Sequence, residues 1–158
     1  MKKILIFLTG VLPLTLWGQK SPELLLRATP HGIFIASVNP GLAGKPLELQ
    51  RRVVGEAEFR TIARITPPED ITRVREKIRE AAGVFSSDSQ PLDQNLEAFW
   101  KEYKANNQQA LGWISVVPQL AYVFNLAWVD KEAVTGRKYQ YRLLSGSSRF
   151  DSPELLYT

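Results

Sequence analysis

The 158-residue sequence has no cysteine and a single histidine. Disulfide stapling and a cysteine-linked lipid anchor are therefore excluded, and the fold must be held by its core alone. A zinc site would have to rely on carboxylates, because His31 has no second histidine or thiolate to join it. Beyond the N-terminus, long hydrophobic runs are lacking too. The richest stretch, Leu111 to Val129, is interrupted by Pro118, Gln119 and Asn125, so no span of a membrane is expected there. Charge of one sign is also scarce. The acids and bases are interleaved along the chain, without the concentrated basic stripe and base-stacking aromatics that a nucleic-acid binder needs.

What is present begins with Lys2 and Lys3 ahead of an apolar run from Ile4 to Leu16, then Trp17 and Gly18. This order of charged, apolar and boundary regions predicts a secretory signal peptide over residues 1–18, cut after Gly18, although Leu16 is larger than the residue usually found three before the cut. The remaining chain, 19–158, is expected to be one exported domain, whether secreted, cell-surface or periplasmic. Eighteen bases against sixteen acids leave it a net charge of +2.

The alternation of apolar and polar residues predicts strands at 24–28, 32–38, 47–52, 59–65, 126–129, 138–144 and 154–158, separated by glycine- and proline-rich turns. The period changes from two to 3.6 in between. Thr66, Pro67, Pro68 and Glu69 form a helix-start signal, and Ile71, Val74, Ile78 and Ala81 follow at helical spacing until Gly83. Leu92, Leu96, Phe99 and Tyr103 make a second apolar stripe, ended by Asn106 and Asn107. Ala110 to Tyr122 reads as a third segment, broken near Pro118. The expectation is a mainly β antiparallel sandwich of about seven strands with a helical insertion at about 66–125.

The stretch VDKEAVTGRKYQYRLLS, residues 129–145, characterises the architecture best: Gly136 supplies a turn, and Tyr139, Tyr141 and Leu143 alternate with Lys138, Gln140 and Arg142. Together with GIFI (32–35), LELQRRVVGEAEFRTIARI (47–65) and DSPELLYT (151–158), it resembles a fibronectin type III domain, an immunoglobulin-like sandwich, of the kind found in exported bacterial multidomain proteins. The resemblance covers about 80 residues in two pieces. It implies that Tyr139 is a tyrosine-corner residue whose hydroxyl ties its strand to the preceding loop. Two features depart from the family: Ser37 stands where the second strand usually carries a buried tryptophan, so Trp128 or an aromatic of the insertion must fill the core, and the insertion itself splits the domain.

Candidate chemistry is thin. His31 lies in a Pro-His-Gly turn, and Ser86, Ser87 and Ser89 lie in a polar link without a nucleophile elbow. Glu69 with Asp70 suits a helix start, while Glu97 with Glu102 belongs to a mixed-charge helix; neither pair argues for glycosidase chemistry. RVREKIRE, residues 73–80, alternates in sign and reads as a solvated face, and Asp88 and Asp93 lack the pattern of a calcium loop. The aromatics of the insertion remain. Phe99, Trp100, Tyr103 and Trp113 form the predicted binding surface, and Gly136, Tyr139 and Tyr141 the structural anchors. The expected function is a non-enzymatic binding or spacer module with a protein or glycan partner at the cell surface and no cofactor. The alternative is an accessory domain of a secreted polysaccharide-degrading or other multidomain enzyme whose catalytic part is not in this chain.

Overall fold

A computed structural model of the protein describes residues 23–85 and 95–158. The predicted signal peptide, the polar link with Ser86, Ser87, Asp88 and Ser89, and Leu92 and Asp93 lie outside the described residues. Among the described residues eight strands are formed: β1 (Leu24–Thr29), β2 (Gly32–Ser37), β3 (Leu47–Val53), β4 (Arg60–Ile65), β5 (Ala127–Asp130), β6 (Lys138–Ser145), β7 (Ser148–Asp151) and β8 (Leu155–Leu156). They build two antiparallel sheets, one in the order β1-β2-β5, the other β4-β3-β6-β7 with β8 also on β6. The two sheets form a sandwich.

The inner faces follow from the pairing. Leu24, Ile33 and Ile35 share a face with Trp128 and Asp130, while Leu49, Arg51 and Val53 share the opposing one with Leu143, Tyr141 and Tyr139. Most of these side chains are buried in a single hydrophobic cluster. Burying two such faces against each other supplies most of the driving force for the fold. Trp128 sits opposite Ile35 and is almost wholly buried in this core.

Between β4 and β5 come α1 (Ile71–Phe85), α2 (Leu96–Lys104), α3 (Gln108–Val116) and α4 (Pro118–Val123). The expectation of a mainly β chain is not met, because the helices hold about as many residues as the strands. The expected third helix is two. Val117 has extended backbone (φ −100, ψ 110) and Pro118 starts the next helix at a position where its missing N–H is not needed. Asn106, with φ 55, stops α2 in the left-handed conformation, and Asn107 then caps α3 by accepting from Gln109 N at 2.8 Å. Helix α1 starts later than Thr66 suggested, since Asp70 is the residue whose Oδ1 accepts from Arg73 N at 2.8 Å, and it runs past Gly83 to Phe85.

The helices are not a detached module. Phe124, fully buried, gathers Phe99, Trp100 and Tyr103 around it, with ring centroids 5.6, 6.3 and 4.5 Å away. Its carbonyl accepts from Gly44 N at 3.2 Å, which ties this ring cluster to the β2–β3 loop. Phe85 at the end of α1 meets Phe34, on the outer side of β2, edge-on at 5.6 Å. Sandwich and insertion therefore share one core.

Candidate functional site

The four aromatics predicted to bind divide into two groups. Trp100 and Tyr103 are half-buried and stack on each other at 5.5 Å, with Lys104 Nζ 5.4 Å from the centre of the indole. Together with Phe99 they hold Phe124, so their first task is packing. Trp113 differs: it is 52% exposed on α3, one turn before Val116, which is 70% exposed. Trp113 and Phe99 line the same groove between α2 and α3, a hollow of about 270 Å³ that also takes in Asn95, Ala98 and Glu102. Of the predicted surface, then, Phe99 and Trp113 come together at a solvent-facing groove, while Trp100 and Tyr103 turn toward the ring cluster.

The three residues read as anchors lie in β6 and the turn before it. Gly136 adopts φ +84 in the turn before β6. The Tyr139 hydroxyl accepts from Val134 N at 2.9 Å, joining β6 to the loop that precedes it. Tyr141 is fully buried and donates to Asp130 Oδ2 at 2.8 Å, and Arg51 donates to both oxygens of the same carboxylate at 2.8 and 3.0 Å. With Glu132 N at 3.1 Å, all of these donors satisfy a buried carboxylate between the two sheets. Burial, reinforced by the neighbouring Asp130, pushes the Tyr141 phenol far above its ordinary range, so it serves as a hydrogen-bond donor.

The groups set aside in the sequence have structural tasks. His31 is exposed in its turn. Asp70 caps α1, Glu97 pairs with Arg75 at 2.9 Å across helices, and Glu102 accepts from Asn107 Nδ2 at 2.6 Å. Among the described residues there is no group of three or more histidines, aspartates or glutamates placed to hold a metal ion.

A second concavity went unnoticed in the sequence. A cleft of about 720 Å³ lies along β4 and β5, walled by α1 and by the residues between α4 and β5. Leu49, Ile62, Ala63, Ile65 and Trp128 make its apolar lining, and Lys77, Asn125 and Tyr122 its helical side. Lys77 Nζ donates to Asn125 Oδ1 at 2.7 Å, which fixes the orientation of that amide and leaves its NH₂ facing elsewhere. Asn125 Nδ2 and Trp128 Nε1 are both shut off from solvent and have no acceptor among the described residues. Each such donor costs about 1–3 kcal/mol. Burial, and secondarily the nearby charge of Arg73, holds the Lys77 ammonium below its ordinary pKa.

RVREKIRE is thus only partly the solvated face it was expected to be. Arg73 and Glu76 pair in solvent at 2.6 Å, but Lys77 is half-buried. A signal for this exists in the sequence: Lys77 is three residues after Val74 and four before Ala81, on the apolar stripe. Asn125 has a signal as well, as a polar residue in an apolar run where a helix must stop, and it takes φ 65. Nothing in the spacing of residues shows that Lys77 and Asn125 meet.

Compared with protein-family models, with curated proteins and with solved structures, the chain has no significant match.

Proposed function

We propose that the protein is an exported, non-enzymatic binding module built on a fibronectin type III-like sandwich, and that its helical insertion carries the contact surface for a protein or glycan at the cell surface. Support for the fold reading comes from the division of strands, β1-β2-β5 against β4-β3-β6-β7, and from the hydrogen bond between the Tyr139 hydroxyl and the Val134 backbone. The observation that carries the functional reading is Trp113. A large aromatic ring, half in solvent beside a groove that includes Phe99, has the character of an interface anchor. The other large aromatics of the insertion are engaged in holding it to the sandwich, which makes the platform rigid. A rigid aromatic loses little conformational freedom on contact.

Glycan and peptide arrays probed with the wild-type protein and with Trp113→Ala test this reading. The variant removes no core contact, so its melting temperature is expected to match the wild type while binding falls at least roughly tenfold, the loss typical of an aromatic anchor. Equal binding by the two proteins would exclude the α3 face as the contact surface.

A further inference from the structure

The two long seams of the sandwich are closed differently. On the side of β1, the last strand comes across: Tyr157 donates its hydroxyl to Thr29 O at 3.0 Å, joining the sheets. On the opposite side β4 and β5 are edge strands, each paired to a single neighbour among the described residues, and the cleft opens along them. An exposed strand edge with a groove beside it is a template for an added strand. Part of its lining is chemically distinct. Lys77 has no carboxylate within ion-pair distance among the described residues, and its single hydrogen bond goes to Asn125. Asn125 is fully buried and Trp128 is 92% so, being 8% exposed; both line the cleft, and both hold a donor with no acceptor among the described residues. The rim mixes signs, with Arg73 and Lys131 set among Glu69, Asp70, Glu80 and Glu132, and the charge of Glu80 also reaches Lys77.

An ammonium with no carboxylate at ion-pair distance and two N–H donors with no acceptor among the described residues, all in the lining of one cleft, ask for the same thing: a negatively charged oxygen group on an apolar body. A sugar fits this less well, because of the two aromatics in the cleft Trp128 is almost wholly covered and Tyr122 is partly buried with its ring set against Phe85. We propose that the cleft between β4 and β5 binds the free C-terminal carboxylate of an extended peptide, which lies along the open strand edge and sets its carboxylate against Lys77, Asn125 and Trp128. The peptide's backbone pairs with an edge strand, its small apolar side chains meet Ile65 and Ala63, and its terminal oxygens take up the two stranded donors. Because both nitrogens are shut off from solvent, contact with the peptide requires a turn of the Asn125 amide and of the indole. The site is separate from the α3 face and stands whether or not Trp113 binds anything.

The test is a proton–nitrogen correlation NMR titration of the full chain with a random pentapeptide mixture bearing free carboxylates, set beside the same mixture amidated at its C-terminus. The Trp128 indole and Asn125 side-chain amide signals report directly on the two donors. They are expected to move saturably with the free-acid mixture, to move at least roughly tenfold more weakly with the amides, and to be unaffected in their response by Trp113→Ala. Lys77→Met is expected to lose the response and Lys77→Arg to keep it, so that a folding defect in the first variant leaves the second as a check. Signals that stay still at about 1 mM free-acid peptide, an equal response to the amides, or an unchanged response in Lys77→Met would overturn the proposal. A response to glucuronate but not to the peptides would also overturn it, in favour of an acidic sugar.

Discussion

Asp130 accepts from Arg51, from Tyr141 and from the backbone of Glu132, and it does so in the space between two sheets. Taking one partner from such a group leaves an uncompensated charge in a poorly solvated place, which costs more than the pair contributes. Asp130→Asn is therefore expected to lower unfolding free energy by about 3–5 kcal/mol, read from urea denaturation. Tyr141→Phe, which leaves the Arg51 bonds in place, should cost only about 1–2 kcal/mol. A second carboxylate behaves differently because it is nearer to water. Burial raises the pKa of Asp151, but hydrogen bonds from Arg149 and Arg142 outweigh that and hold it below the ordinary carboxylate value. A folded-state pKa below the unfolded one gives stabilisation that is present above about pH 4 and is lost as pH falls through the folded value. Asp151→Asn should accordingly flatten the acid limb of a stability–pH curve below pH ~4, while an unchanged limb would show that the two arginines do not hold the carboxylate.

At the level of elements, three glycines with positive φ carry different burdens. Gly136 (φ +84) has open space where a Cβ would stand, so Gly136→Ala pays only for backbone conformation, about 1 kcal/mol. Gly32 (φ +131) is held against β5, and an added Cβ would fall 2.2 Å from Asp130 O. Gly32→Ala must push β2 and β5 apart and is expected to be clearly the more destabilising of the two in parallel thermal melts. Gly44 meets the Tyr103 hydroxyl end, so a side chain there would displace α2 from the β2–β3 loop. The strand pattern was legible because alternation is local: Tyr139, Tyr141 and Leu143 point inward as their spacing requires. Strand β7 was missed because SSRFD is short and polar, and only its pairing with β6, Phe150 opposite Leu143, makes it a strand. The divided third helix was half legible, since Pro118 announces a break without saying that both sides are helices. The candidate sites divide in the same way. Trp113 was visible as an aromatic, but which aromatics face solvent depends on where Phe124 sits, and the cleft depends on Lys77 meeting Asn125 across 48 residues.

In the whole molecule, sandwich and insertion share one joint core. If the helices were merely tethered to a finished sandwich, Trp113 and its groove would have no fixed position, and the wall of the cleft that carries Lys77 would come and go. Phe124 is where the two parts meet, and Phe124→Ala is expected to cost about 3–5 kcal/mol and to loosen sheets and helices together. Native-state hydrogen exchange measures that coupling most directly, because it reports an opening free energy for each amide. The slowest amides of α1, around Val74 and Ile78, should open with the same free energy as those of β3 and β6, within about 1 kcal/mol, and respond to denaturant with the same slope. Helical amides that open several kcal/mol more easily than the sheets, in a step that leaves β3 and β6 protected, would contradict the claim that insertion and sandwich are one cooperative body.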